Sequence, residues 1–326
     1  MKKLIPLALG LCVLVCGQGC DKNNATSTPA NDAAPKKFKL AFVTNTTNVF
    51  WATVRGGCKN AAQNLGDVTV DFHFFTGATA DEQNAVVNDL VASGVDGIAI
   101  SPIDAEKQTE FLNGVAAKTL LVCVDSDAAN SKRVSFIGSD NATAGKQAAD
   151  LLKAALPQGG KIVLCVGYTN AQNAIDRIQA IQNGLAGTSL QIVEIMADST
   201  KTDVARKNAA DALEKYPDLA GLVGLYSYNG QEILSAVRAA GKTGKVKIVC
   251  FDDDSATLDG IAAGDIYGTV VQVATRIGYE TIARMDKYLG GDKKQLAEPN
   301  ILFNTLPVTK GLVESIQVYR QNLLQP

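Results

Sequence analysis

Residues 38–75, FKLAFVTNTTNVFWATVRGGCKNAAQNLGDVTVDFHFF, decide the fold. Lys39–Thr44 and Val68–Phe75 are short apolar runs of strand character. Between them Trp51, Val54, Cys58, Ala61, Ala62 and Leu65 fall on one face at helical spacing. Further strands are expected at Gly97–Ile100, Leu120–Val124, Val134–Ile137, Lys161–Val166, Leu190–Met196, Gly221–Leu225, Val246–Phe251 and Tyr267–Val273, with helix-length segments between most of them. Near-continuous apolar strands alternating with amphipathic helices imply parallel sheets covered on both faces. Thr79 three residues before Glu82 reads as a capping box ahead of Val86, Val87, Leu90 and Val91, and Asn229 with Glu232 repeats it before Ile233, Leu234 and Val237. Ten strands are many for one sheet over this length. The expected class is therefore α/β, with two doubly wound, Rossmann-like lobes changing over near Ser139-Asp140-Asn141.

The segment before the first strand reads as export signal and tether. Lys2-Lys3, an apolar run from Leu4 to Val15, and Gly17-Gln18-Gly19-Cys20 follow the order of a secretory signal peptide, and the run is too short to span a bilayer. A small residue before a cysteine suits lipoprotein processing, so residues 1–20 are expected to be a signal peptide with Cys20 as the lipidated residue. Gly17 stands where an aliphatic residue is usual, which keeps ordinary secretion as the alternative. Residues 21–37 (DKNNATSTPANDAAPKK) hold no aliphatic side chain larger than Ala and read as a disordered tether of roughly 20–25 Å. The expected location is the periplasm or outer face of the cell membrane, held by the lipid.

Of 326 residues, 46% are hydrophobic and 20% charged, and the net charge is −2; no Lys/Arg run argues for nucleic acid. Cys123, Cys165 and Cys250 sit in strand-like runs, and with Cys58 they read as buried thiols, since their spacing does not suit a metal. His73, the sole histidine, reads as a strand-surface residue and leaves little room for His-based catalysis. The first strand lacks a following G-x-G-x-x-G turn, which disfavours a dinucleotide enzyme. No cofactor and no metal are expected.

Ligands of doubly wound folds sit at the carboxyl ends of the strands. Here those ends carry Thr44, Asn45 and Asn48, then Phe50-Trp51; Ser101; Asp125-Ser126-Asp127; Tyr168 to Asn170 and Asn173; Tyr226 to Asn229; Asp252-Asp253-Asp254; and Gln272. Carboxylates, amides and aromatic rings with few cations suit a neutral polyhydroxyl ligand: carboxylates accept from hydroxyls and rings cover C–H patches. Each has a plainer reading. Phe50 and Trp51 could be core, and two of the three aspartates at 252–254 could be cap and solvated charge.

These residues carry a resemblance. Phe50-Trp51, VDSDAANSKRVSFIGSDNATAGKQA (124–148), NAQNAIDRIQAI (170–181), YPDLAGLVGLYSYNG (216–230) and GKTGKVKIVCFD (241–252) resemble blocks of the type I periplasmic sugar-binding proteins, the group of the ribose- and galactose-binding proteins, and are closer to its thermophile glucose-binding subgroup. The similarity covers about Phe38 to Gly290. It implies two lobes joined by three hinge strands: an N-terminal lobe of 38–140 plus 274–297 and a C-terminal lobe of 141–273 plus 298–326. It implies closure over one sugar without catalysis, and delivery by a monomer to the permease and ATPase of an ABC importer. Asn48, Phe50, Trp51, Asp125, Asn173, Tyr226, Asp252 and Gln272 match contact positions; Thr44, Asn45 and Ser101 complete the expected set. The ribose pattern has Arg where this chain has Ser126, a second Arg where it has Ile175, and Asn in place of Tyr226, so a hexose is expected over ribose. Val49 stands where a proline is usual. The alternatives are a receptor for a signalling sugar or nucleoside, a repressor of the same fold, disfavoured because no helix-turn-helix precedes the first strand, and a sugar-active enzyme using Asp125 and Asp252.

Overall fold

The computed structural model describes residues 37–324. The expected signal peptide, the expected lipidation at Cys20 and the expected tether up to Lys36 lie outside the described residues.

Two six-stranded sheets form. The first contains β1 (Phe38–Val43), β2 (Val68–His73), β3 (Gly97–Ile100), β4 (Leu120–Val124), β5 (Ser135–Ser139) and β11 (Asn300–Phe303), in the order β11-β5-β4-β3-β1-β2. Every pairing in it is parallel. The second contains β6 (Gly160–Val166), β7 (Leu190–Ala197), β8 (Leu219–Gly224), β9 (Lys247–Phe251), β10 (Gly268–Val271) and β12 (Leu306–Thr309), in the order β12-β10-β9-β8-β6-β7. Only β12 runs antiparallel there, against β10. Replacing β1–β5 by β6–β10 turns one order into the other, so each lobe repeats the other's topology.

The chain crosses between lobes three times: after β5, after β10, and between β11 and β12. The last crossing corrects the expected boundary at 297/298. β11 pairs with β5 and belongs to the first lobe, so the change falls between Phe303 and Leu306. Neither short strand was expected from the sequence. Each spans four residues at a sheet edge, and Pro307 within β12 sits where a missing donor is tolerated.

Nine of the helices matter for the site and its supports: α1 (Val49–Leu65), α2 (Ala80–Ala92), α3 (Ala105–Ala116), α4 (Asn141–Ala155), α5 (Gln172–Leu185), α6 (Thr202–Lys215), α7 (Ser227–Ala239), α8 (Ser255–Ala263) and α9 (Ala274–Leu289). The box at Thr79 forms: its hydroxyl accepts from Glu82 N, and the Glu82 carboxylate accepts from Thr79 N. The one expected at Asn229 and Glu232 does not. The α7 helix starts earlier, at Ser227, so Asn229 Oδ1 accepts from Tyr226 N instead (3.0 Å), while buried Glu232 takes Arg206 Nε at 2.7 Å.

The α1 and α9 helices touch backbone to backbone. A Cβ on Gly57 would lie 2.0 Å from Thr275 O, and one on Gly278 would lie 2.0 Å from Val54 O. Only glycines allow that approach, and it sets the height at which α1 delivers its first turn to the cleft. Cys58, Cys123, Cys165 and Cys250 are buried free thiols; burial pushes all four up, Cys123 and Cys165 to about 12. His73 ends β2, part-exposed, 2.9 Å from Asp71.

Candidate functional site

Asp125 and Asp252 are the first residues past β4 and β9, strands that hold the same place in the two sheets. Both adopt left-handed backbone, φ 64° and 69°. That region is uncommon outside glycine, and Asp is among the few residues that tolerate it. Asp125 N donates to Ile137 O (3.2 Å), and Ser126 N donates back to Val124 O (2.7 Å) in a tight turn around Asp125. Asp252 N donates to Val270 O at 2.8 Å. In each lobe the strand end is thus pinned to its neighbour while the next side chain swings out of the strand line into the cleft.

The two carboxylates line one cavity with Asn45, Asn48, Phe50, Trp51, Asn173, Arg177, Tyr226, Ser227 and Gln272. Its volume is about 250 Å³, mouth included. Burial pushes Asp125 up to about 6, opposed by Arg177 and by hydrogen bonds from Ser101 and Asn173. Burial pushes Asp252 up to about 7, opposed by Arg177 and Gln272 and reinforced by Asp253 and Asp125.

Arg177 is a cavity residue that the strand-end reading does not reach, because it lies inside α5. Ile175 is exposed, while Arg177, one helical turn from Asn173 on the same face of α5, is 2% exposed and lines the cavity. That i, i+4 spacing was the available signal. Its Nε donates to Asn141 Oδ1 and its Nη1 to Leu225 O, each at 2.8 Å, and the guanidinium lies 4.6 Å from the Phe251 ring centroid.

Among the described residues, Arg177 Nη2, Ser227 Oγ and Gln272 Oε1 are buried with no hydrogen-bond partner. An unpaired buried polar atom costs roughly 1–3 kcal/mol and calls for an explanation. Three such atoms on the wall of one cavity suit a polar ligand. One is a donor, one an acceptor and one either, beside two carboxylates that accept.

The aromatic pair has both of the roles weighed for it. Trp51, 1% exposed, packs edge-on against Phe42 and Phe50, and its Nε1 donates to Asn45 Oδ1 (2.9 Å), yet it also borders the cavity. Asn48 likewise lines the cavity and caps α1, accepting from Trp51 N. Asp254 caps α8 through Ala256 N (3.0 Å), and Asp127 is paired with Arg133 and stands outside the cavity.

Nine of the eleven expected ligand-binding residues meet on the cavity wall; Thr44 and Ser101 do not. Thr44 Oγ1 donates to Thr46 O (2.6 Å) and accepts from Phe75 N (2.9 Å), closing the loop after β1 on itself. Ser101 stands behind Asp125, its Oγ 3.4 Å from Asp125 Oδ2. Both are supports for the wall.

Among the described residues, three hydrogen bonds cross the cleft. Asn173 Nδ2 donates to Asp125 Oδ2 (2.9 Å), Gln172 N to Ser126 Oγ (3.1 Å) and Asn170 Nδ2 to Asp104 Oδ2 (2.6 Å). The lobes are therefore closed on one another. The groups on either side of the cavity come from separate lobes, so opening the cleft takes the site apart.

Comparison with known proteins agrees with this geometry. Residues 40–293 match the family model described as a periplasmic binding protein domain. The D-ribose/D-allose-binding protein of Pseudomonas aeruginosa is 24% identical over 79% of this chain and 84% of its own length. The ribose import binding protein of Bacillus subtilis is 25% identical over 90% of this chain and 96% of its own. Among solved structures, an ABC transporter solute-binding protein of Burkholderia graminis in complex with D-arabinose superposes with a TM-score of 0.81 at 25% identity, covering 87% of this chain and 99% of that one. The glucose-galactose binding protein GanP of Geobacillus stearothermophilus shares the fold, with a TM-score of 0.79 at 24% identity over 85% of this chain and 98% of its own. The family model spans most of the chain and the two-lobed topology accompanies it: the chain belongs to the periplasmic binding protein family.

Proposed function

We propose that this chain is the solute-binding component of an ABC sugar importer, a monomer that closes its two lobes over one monosaccharide. The observation that carries this reading is the trio of unpaired buried atoms, Arg177 Nη2, Ser227 Oγ and Gln272 Oε1, which line the same cavity between the lobes as Asp125 and Asp252. A ring of hydroxyls offers donors to the carboxylates and to Gln272, and an acceptor to Arg177. The names of the relatives, which bind ribose, allose or arabinose, support the same ligand class. Within that class we favour a hexose. The support is the set of departures from the ribose pattern at Ser126, Ile175 and Tyr226.

Trp51 is the chain's only tryptophan and borders the cavity, so its fluorescence reports binding. The chain from residue 21, unfolded and refolded to strip bound ligand, is titrated with glucose, galactose, allose, ribose, xylose and arabinose. One of these should give a saturable change with a Kd near micromolar, about −8 kcal/mol. Silence across the whole set, in fluorescence and in thermal shift alike, would sink the sugar reading.

We further propose that Cys20 is lipidated and anchors the chain to the membrane; the support is the Lys2-Lys3, apolar run and Gly19-Cys20 order. Cys20→Ser should move the protein to the soluble fraction. A variant that stays with membranes after a carbonate wash refutes the anchor at that residue.

A further inference from the structure

Asp198, just past β7, is not among the residues lining the site cavity and is 2% exposed. Three donors converge on its carboxylate: Tyr228 OH (2.5 Å) and Thr200 N (2.8 Å) on Oδ1, and Asn229 Nδ2 (2.9 Å) on Oδ2. The two residues that follow it, Ser199 and Thr200, are both left-handed, φ 52° and 62°. Neither is a residue that favours that region, and each costs on the order of 1 kcal/mol there. A buried acid and a strained pair stand together outside the cavity lining.

What they support lies one step further in. Asn229, held by Asp198, accepts from Tyr226 N through Oδ1 (3.0 Å). The Tyr226 ring packs against Gly167 and crosses Tyr228 edge-on with centroids 6.3 Å apart. A Cβ on Gly167 would meet that ring at 2.5 Å and the Thr200 methyl at 2.9 Å, so the strained turn closes over the same spot. Tyr226 OH then donates to Asn173 Oδ1 (3.3 Å), and Asn173 Nδ2 donates across the cleft to Asp125. The links run from Asp198 through Asn229 to the Tyr226 backbone, and from the Tyr226 hydroxyl through Asn173 to the first lobe.

We propose that Asp198 is a positioning residue: through Asn229 and the Thr200 turn it fixes Tyr226, and through Tyr226 it orients Asn173 toward Asp125, without touching ligand. The consequence for affinity rests on the sugar-binding reading above; the consequence for Tyr226 does not. Three donors on two oxygens suit an ionised carboxylate, which accepts through both. An amide at 198 accepts through one atom only and turns a second donor on the Asn229 amide.

The test compares the wild type with Asp198→Asn, Tyr228→Phe and the exchange Asp198→Asn/Asn229→Asp. The exchange trades amide for carboxylate across one hydrogen bond: the group at 198 then donates to the group at 229, which still accepts from Tyr226 N. Residue-resolved hydrogen exchange needs no ligand. For Asp198→Asn the Tyr226 amide should exchange roughly 10- to 100-fold faster while β6, β8 and β9 stay protected, the loss expected for one charge-assisted bond. Tyr228→Phe, which deletes one donor and leaves the acid, should show a smaller effect in the same place and stands in if Asp198→Asn does not fold. The exchange variant should restore Tyr226 protection. Sugar affinity, with the best binder of the set above, should fall and recover in step.

An unchanged Tyr226 amide in Asp198→Asn overturns the proposal. So does faster exchange spread evenly through the second lobe that the exchange variant leaves unrepaired, because that is a structural acid with no hold on Tyr226. A wild type that binds none of the sugars counts against the sugar reading alone.

Discussion

Asp125→Asn should make the protein more stable and its binding much weaker. Asparagine keeps the side chain's size and tolerates the left-handed backbone at φ 64°. It therefore isolates the charge from the geometry. Burial has pushed the Asp125 carboxyl up to about 6, so at pH 7 the folded protein carries an ionised group that its surroundings disfavour. Each pKa unit is about 1.4 kcal/mol, and removing the charge should return on the order of 1–3 kcal/mol at that pH. A sugar loses the opposite way: a carboxylate taking two hydroxyls contributes roughly 1.5–3 kcal/mol per bond, and a neutral amide presents an N–H where a second acceptor was needed. The expected loss of affinity is about 100-fold or more. Urea unfolding at pH 7 and calorimetric titration on the same sample check both signs. An affinity unchanged within a factor of three would remove Asp125 from the site, whatever the stability does.

The opposite signs follow from how the site is made. The two sheets have the same strand order, so the ends of β4 and β9 face each other when the lobes close. Each end carries an aspartate in a left-handed turn, and the pair share one buried cation, Arg177, which belongs to the second lobe. Two acids against one guanidinium leave the closed cavity short of positive charge and rich in acceptors. A neutral polyol supplies donors without adding charge, and an anion would add to the imbalance. The cost of holding these groups is met by burial elsewhere in each lobe, such as the full enclosure of Phe42, Ile98, Leu164 and Phe251.

Much of this was legible in the sequence, for a physical reason. Strands such as Leu120–Val124 are buried on both faces, so they appear as unbroken apolar runs, and each run ends where polar residues begin. The carboxyl ends of the strands could thus be located, and Asp125, Asp252 and Tyr226 with them. What escaped depends on three-dimensional register. Arg177 lies inside α5, where an arginine usually means solvent, and only its spacing from Asn173 marks its face. Thr44 and Ser101 share the strand-end address of true wall residues, but their hydroxyls turn to local partners, which no sequence period records. β11 and β12 have four residues each and no alternation to read, so the third crossing was misplaced by a few residues. The role of Asp198 shows only through its partners, which come from α7 and the turn after β7.

Sugar binding should strengthen as pH rises from 5 to 8. In the free closed protein burial pushes Asp125 up to about 6 and Asp252 up to about 7, with Arg177 acting against both shifts. Hydroxyls donated by a bound sugar favour the ionised carboxylates and draw both groups back toward ordinary carboxylate values. Between pH 5 and 7 the complex therefore binds fewer protons than the free protein, so binding releases protons and its affinity increases with pH. If the shift on binding is one to two units in total, affinity is about 10- to 100-fold weaker at pH 5 than at pH 8. The unliganded protein shows the reverse trend. Its folded state holds protons at Asp125 and Asp252 that the unfolded chain has already released, so their contribution to stability is largest near pH 4 and is lost as pH rises through 7. Isothermal titration in two buffers of different ionisation enthalpy, at pH 6, reads the protons directly. Heats that agree between buffers, together with an affinity flat from pH 5 to 8, would mean that the two carboxylates do not receive the ligand's hydroxyls, and the site would have to be rebuilt around Arg177, Ser227 and Gln272 alone.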